Sequence, residues 1–203
     1  MFAQFFSNIQ ETKWYAAFLA PVMEQIPNHS TLLDIGTGSG KMLELLAKNK
    51  SVKSTGIDTN ESMLEEARKK TKDLPVELIK IEPNSTLPFT DEHFDNVTIC
   101  NVLFHMEKEA IFKMLDDSRR VLKKDGRLII LTPTGQGGLV NLSRRFFRFG
   151  NNSIFIWYRA TKKNAKKWTD NQILKEYCAQ NGLPYSHKVT LHGFAQMEII
   201  SKS

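Results

Sequence analysis

The chain has 203 residues, of which 41% are hydrophobic and 25% charged, enough to bury one substantial core and too few for two full domains. No apolar run reaches the roughly 18 residues of a membrane span. The start, Met1-Phe2-Ala3-Gln4-Phe5-Phe6, is apolar, but the first lysine is Lys13, so the cationic region of a secretory signal is missing and a cytoplasmic location is expected. A formal net charge of +6 suits an acidic partner, whether nucleic acid, an anionic lipid surface or an anionic small molecule, without choosing among them.

In chain order, a helix is expected around Gln10 to Ile26, bent near Pro21. From Thr31 onward, β-rich runs alternate with helical patterns. Thr31 to Ile35, Val52 to Ile57, Val76 to Ile81, Phe94 to Cys100 and Arg127 to Leu131 read as strands. Between them, Met42, Leu43, Leu45 and Leu46 supply one apolar stripe, Asn60 caps a helix carrying Met63, Leu64 and Ala67, and Ile111, Met114, Leu115, Ser118 and Leu122 supply another. Such alternation predicts βαβ units on a parallel sheet, an α/β doubly wound architecture. Beyond the fifth strand, Thr132 to Gly138 is rich in Gly, Thr and Pro, and a basic, aromatic stretch follows to Trp168, which reads as an insertion over the sheet. Thr169-Asp170-Asn171-Gln172 matches a capping box, Ile173, Leu174 and Tyr177 give a stripe, and Gly182 ends that helix. Two strand-like runs, Tyr185 to Leu191 and Ala195 to Ser201, are joined through His192-Gly193 closely enough for a hairpin. The expected organisation is one domain: an N-terminal helical cap (1–30), a cofactor-binding core (31–133), the insertion (134–168), and a final helix with a hairpin (169–203). Cys100 and Cys178 lack metal-ligand spacing and read as reduced structural thiols, with no metal expected.

The strongest local motif is Leu32-Leu33-Asp34-Ile35-Gly36-Thr37-Gly38-Ser39-Gly40, a buried strand running into a glycine-rich turn and then a helix. Glycines there let the backbone turn sharply and let a ligand approach without a Cβ in the way. A nicotinamide-dinucleotide fingerprint wants its third glycine where Lys41 stands, which weakens a dehydrogenase reading. At the end of the next strand, Gly56-Ile57-Asp58 places a carboxylate beside the turn, where it can accept hydrogen bonds from both hydroxyls of a ribose or cap the following helix.

These motifs, together with Leu87-Pro88-Phe89, Phe94-Asp95 and Arg120-Val121-Leu122-Lys123-Lys124-Asp125-Gly126, resemble the class I S-adenosylmethionine-dependent methyltransferases. Within that group they are most similar to the small-molecule and quinone or lipid methyltransferases (methyltransferase type 11-like). The resemblance runs from about Thr31 to Pro133 and more loosely to the C-terminus. It implies a Rossmann-like seven-stranded sheet, mostly parallel with an antiparallel C-terminal strand and helices on both faces. It further implies that S-adenosylmethionine is the cofactor, that Asp34, Gly36, Thr37, Gly38 and Gly40 shape its methionine side, and that Asp58 with Thr59 holds the ribose. Met63 and Asn101 complete the expected pocket. Where the family commonly has an acidic residue for the adenine amino group, this chain has Pro83, which leaves Glu82 or Asn84 for that contact.

Methyl transfer from a sulfonium proceeds by in-line displacement and needs chiefly alignment; a base is required only where the acceptor must lose a proton early. His105, in Asn101-Val102-Leu103-Phe104-His105-Met106 after the fourth strand, is the candidate catalytic residue. Asn101-Val102-Leu103 lacks the prolines and aromatic of nucleic-acid amino methyltransferases, so nucleic acid is disfavoured. From Gly126 to Thr169 no acidic residue occurs, while Arg127, Arg144, Arg145, Arg148, Arg159, Lys162, Lys163, Lys166 and Lys167 do. A helix over Leu139 to Phe149 places Leu139, Leu142, Phe146 and Phe149 opposite the three arginines, which suits either a pocket lid or an anionic membrane surface. The expected function is therefore a methyltransferase acting on a small-molecule or lipid-like acceptor, cytoplasmic with an option of peripheral membrane contact. A dinucleotide-dependent oxidoreductase and a nonenzymatic S-adenosylmethionine-binding protein are the alternatives.

Overall fold

The computed structural model describes residues 7–147 and 152–202. A seven-stranded sheet carries the molecule: β1 (Thr31–Ile35), β2 (Lys53–Asp58), β3 (Val76–Lys80), β4 (Phe94–Cys100), β5 (Leu122–Pro133), β6 (Tyr185–Thr190) and β7 (Ala195–Ser201), in the order β3-β2-β1-β4-β5-β7-β6. The first five strands are parallel, and β7 runs antiparallel to both β5 and β6. The helices are α1 (Lys13–Gln25), α2 (Lys41–Asn49), α3 (Glu61–Lys70), α4 (Lys108–Val121), α5 (Leu139–Phe146), α6 (Ser153–Asn171) and α7 (Ile173–Asn181). Both faces of the sheet are covered, which is why β1 and the end of β5 read as nearly continuous apolar runs. On one face Leu33, Ile57, Val97, Leu128 and Ile130 pack with α4 and α7. On the other, Leu32, Ile129, Leu131 and Met197 meet Trp14, Phe18 and Val22 of α1 and Trp157 and Tyr158 of α6.

Local chemistry sets several boundaries. The Asn60 side chain accepts the Met63 N–H at 3.2 Å and caps α3 as expected. Gly182, in the left-handed region with φ +63°, closes α7, and the β6–β7 hairpin turns through Leu191–Gly193. Arg120 ties the Leu87-Pro88-Phe89 loop to α4 by donating to the carbonyls of Leu87 (2.9 Å) and Phe89 (2.7 Å) while pairing with Asp91 and Asp117. Those two motifs of the sequence are therefore bonded to each other.

The expected capping box at Thr169 does not form. Helix α6 continues through Asn171, and Ile154, Trp157, Tyr158, Thr161, Ala165 and Trp168 form an unbroken buried stripe at helical spacing right up to the expected boundary. The Thr169 hydroxyl donates to the Thr134 carbonyl at 2.9 Å instead, and the chain breaks at Gln172, which is left-handed at φ 48°. The helix expected over Leu139 to Phe149 is described as far as Phe146, with Phe147 exposed beyond it; Arg148 and Phe149, like the apolar start at 1–6, lie outside the described residues. Of its expected apolar face, Leu142 is buried and Leu139 is 49% exposed. Among the described residues no helix is long and apolar enough to cross a membrane.

Candidate cofactor and active site

The turn between β1 and α2 is built on left-handed glycines, Gly36 (φ +73°), Gly38 (φ +58°) and Gly40 (φ +73°), conformations that cost a side-chain-bearing residue roughly 1–2 kcal/mol each. Space is also short. A Cβ on Gly36 would lie 2.5 Å from Val102 Cγ2, the residue after Asn101. The turn is fastened from the next strand: Asp58 accepts the Gly38 N–H at 2.8 Å through one carboxylate oxygen and the Asn60 N–H at 2.9 Å through the other. Asp58 thus braces the turn and fixes the backbone of Asn60, the residue that caps α3, and its oxygens keep lone pairs for a ligand.

Asp34 is 3% exposed at the carboxyl end of β1 and accepts the Thr98 hydroxyl at 2.8 Å. Burial lifts its carboxyl to about 7; the Thr37 and Thr98 hydroxyls offset part of this, and the charge of Asp58 adds to it. At the end of β4, Asn101 adopts φ +63° and leaves its side-chain Oδ1 buried without a hydrogen-bond partner, an acceptor awaiting a donor. Met63 packs beside Gly38, and Thr59 is exposed next to Asp58.

The turn has a neighbour that no pattern in the sequence marks. Gln10, from the helical turn at 7–10, accepts the Ser39 N–H at 3.1 Å and the Ser39 hydroxyl. The adjacent Glu11 bridges Lys41 (2.7 Å) and Lys70. Lys41, standing where a dinucleotide fingerprint has glycine, thus serves as an ion-pair post for the N-terminal segment.

Other expected residues stand on the loops that follow β3 and β4, joined to the cluster by the Ile81 N–H on the Asp58 carbonyl (3.1 Å) and the His105 N–H on the Val102 carbonyl (3.1 Å). Glu82 and Asn84 are exposed in the loop after β3, where the Glu82 carbonyl accepts from Ser85 and the Asn84 carbonyl accepts from Lys113. His105 ends a 3-10 turn (Leu103–His105) after β4, stacks on Phe104 with centroids 4.0 Å apart, and lies 3.4 Å from the Asn164 side chain of α6. It lines a cavity of about 400 Å³ together with Asn164, Lys167, Trp168 and Glu176. Partial burial lowers its pKa from the ordinary 6.5, which keeps the ring neutral and able to accept a proton.

Residues 33–130, the strands and loops that build this cluster, match the family model for a methyltransferase domain. That stretch is similar to methyltransferase domains. Among curated relatives, the chain is 35% identical to the demethylmenaquinone methyltransferase of Thermotoga maritima over 122 residues, 60% of this chain and 50% of that protein. It is 37% identical to the ubiquinone/menaquinone biosynthesis C-methyltransferase of Rickettsia bellii over 118 residues, 54% of this chain and 47% of that protein. The chain thus spans about half the length of these relatives. A solved structure titled as a putative S-adenosylmethionine-dependent methyltransferase from Methanococcus maripaludis has the same fold, with a TM-score of 0.74 at 20% identity over 99% of this chain and 92% of that one. The expected seven-stranded sheet with its reversed strand is present.

Proposed function

We propose that the chain transfers the methyl group of S-adenosylmethionine to a small, lipid-like acceptor of the quinone class. The observation that carries the reading is the site itself: a left-handed glycine turn flanked by the carboxylates of Asp34 and Asp58 and by the orphaned Asn101 oxygen, inside the stretch that matches a methyltransferase domain. This set fits the cofactor chemically, since a buried acid without a cation beside it suits a ligand that bears ammonium and sulfonium charges. Asp34, Gly36, Thr37, Gly38 and Gly40 would hold the methionine end, with Asn101 accepting from its amino group. Asp58 and Thr59 would take the ribose, Met63 would press on the base, and Glu82 or Asn84 would meet the adenine amino group.

Bound S-adenosylmethionine supplies a methyl group already activated for displacement, which leaves the chain to align the acceptor, exclude water and, where needed, hold a proton. The neutral ring of His105, in its cavity beyond β4, is placed for the last of these. The quinone class is suggested by the names of the two curated relatives. Peripheral membrane contact is supported by the α5–α6 surface, where exposed Leu139, Val140, Phe147 and Ile156 adjoin Arg144 and Arg145 and where Arg159, Lys162, Lys163, Lys166 and Lys167 line one groove of α6.

Calorimetry tests the reading. S-adenosylmethionine and its demethylated product should both bind, and Asp58→Ala should weaken each at least tenfold, because charge-assisted hydrogen bonds at roughly 1.5–3 kcal/mol are lost. Equal or tighter binding of NAD would favour the oxidoreductase. A labelled-methyl screen against quinone precursors, phospholipids and RNA identifies the acceptor, and labelling of RNA alone would overturn the quinone assignment.

A further inference from the structure

Outside the methyltransferase match, the C-terminal hairpin buries an acid that the cofactor site does not use. Glu198 on β7 is 4% exposed. The Tyr185 hydroxyl donates to its Oε1 at 2.6 Å, and the Trp168 indole N–H donates to its Oε2 at 3.1 Å. Gln196, two positions back on the same face, points its amide nitrogen at Oε2 from 3.5 Å. Among the described residues Glu198 has no ion-pair partner, although a buried carboxylate is costly without one. Burial raises its pKa, and the hydrogen bonds from Tyr185 and Trp168, with His187 opposite it on β6, offset only part of that.

The carboxylate faces a cavity of about 260 Å³ walled by Trp168 and Tyr185, with Lys175 and His187 exposed at its mouth. β7 is separated from β1 by β5 and β4, which at ordinary strand spacing places this cavity roughly 14 Å across the sheet from the glycine turn. Aromatic walls around an unpaired buried acid form a receptor for an organic cation: the rings stabilise the charge through their faces, and the acid supplies the counter-charge. Oε1, which holds a single donor, retains a lone pair for an ammonium N–H.

We infer that the cavity between α6, α7 and the β6–β7 hairpin is a second ligand site, which takes a small primary ammonium ion with Glu198 as its counter-ion and Trp168 and Tyr185 as its walls. The site requires no methyl donor, so it stands independently of the proposed methyl transfer.

The test uses the intact chain, labelled with nitrogen-15, with the Trp168 indole N–H as reporter and n-butylammonium as probe at pH 7.5. Saturable displacement of that resonance is expected in the millimolar range or tighter, while n-butanol, the neutral analogue, leaves it in place. Glu198→Gln should weaken n-butylammonium at least tenfold. Lys175→Glu, a change at an exposed position that leaves the network intact, should tighten binding several-fold by removing a like charge from the mouth. Absence of saturation at 50 mM, equal binding of n-butanol, or weaker binding by Lys175→Glu would each overturn the site and leave Glu198 a protonated element of the core.

Discussion

The molecule buries two carboxylates in different ways. Asp34 lies near the end of a central parallel strand beside the glycine turn, held by the Thr98 hydroxyl and close to a second acid. Glu198 sits near the sheet edge among a tyrosine, a tryptophan and a glutamine. Neither has an ion-pair partner among the described residues, and burial raises both pKa values. The backbones around them differ most: the turn beside Asp34 holds three glycines at positive φ and has no room for a Cβ at Gly36, whereas Glu198 sits in the regular ladder of β7 opposite Ile130 and His187. A binding site can thus be made by forcing the main chain into a tight cradle, or by leaving ordinary strands and choosing the side chains that line a gap between them.

The largest expected effect separates the two acids by their pH linkage. Asp34 titrates near 3.8 when unfolded and about 7 when folded. Between those values the folded protein holds a proton that the unfolded chain has released, so stability declines as pH rises from about 4 to about 7 and is level above. The integrated cost is of the order of 4 kcal/mol. Asp34→Asn should abolish that decline and melt higher than the parent at pH 8 while losing cofactor affinity. Glu198→Gln should act in the same direction on stability and leave cofactor affinity alone. Chemical denaturation across pH checks both, and a parent whose stability does not fall over this range would break the comparison at Asp34.

Backbone strain gives the next contrast. Gly36→Ala adds a left-handed residue and a 2.5 Å contact with Val102, a loss of roughly 3 kcal/mol, part of which Val102→Ala should restore. Gly182→Ala is equally left-handed but meets nothing within 4 Å, so about 1 kcal/mol is expected. Thermal melts giving equal losses would show that the turn is not specially crowded.

His105 lies between the regions, sharing a cavity with Trp168. His105→Ala should slow turnover about a hundredfold if the ring accepts a proton and leave calorimetric affinity for the cofactor unchanged. The acid limb of the parent's pH–rate profile should then fall below 6.5, because burial lowers the ring's pKa. The smallest effect concerns neither pocket. Replacing Arg144 and Arg145 by Gln removes roughly 1 kcal/mol apiece at an anionic surface, so affinity for anionic vesicles, read by sedimentation, should drop about thirtyfold and salt should mimic the change in the parent. A parent that ignores such vesicles at low salt would make α5 a lid over the sheet.

Much of this was legible in the sequence wherever neighbours in the chain are neighbours in space. The strand-to-turn-to-helix run at Leu32 to Lys41, the Asn60 cap and the β6–β7 hairpin are local devices whose residues name their own conformations. What stayed hidden is long-range. Gln10 reaches Ser39 through tertiary packing, and nothing near Gln10 marks it. Thr169 to Gln172 has the chemistry of a helix start, yet the buried stripe ending in Trp168 outweighs it, and only the sheet beneath α6 decides that contest. Glu198 lies in the alternating run Ala195-Gln196-Met197-Glu198, which reads as one wet face. That face is covered once Trp168 and Tyr185 close over it.

The strand order bears on how the molecule is assembled. β7, almost the last segment of the described chain, occupies the place between β5 and β6, and it satisfies β5 over the whole stretch from Arg127 to Pro133. Until that segment emerges during synthesis, Leu128-Ile129-Ile130-Leu131 presents an unpaired apolar edge, the kind of template on which chains associate wrongly. The parallel pairs inside it already bring together residues far apart in sequence, such as Asp34 with Thr98, which slows closure of the sheet. The hairpin is therefore the element on which the folding yield of the nascent chain depends.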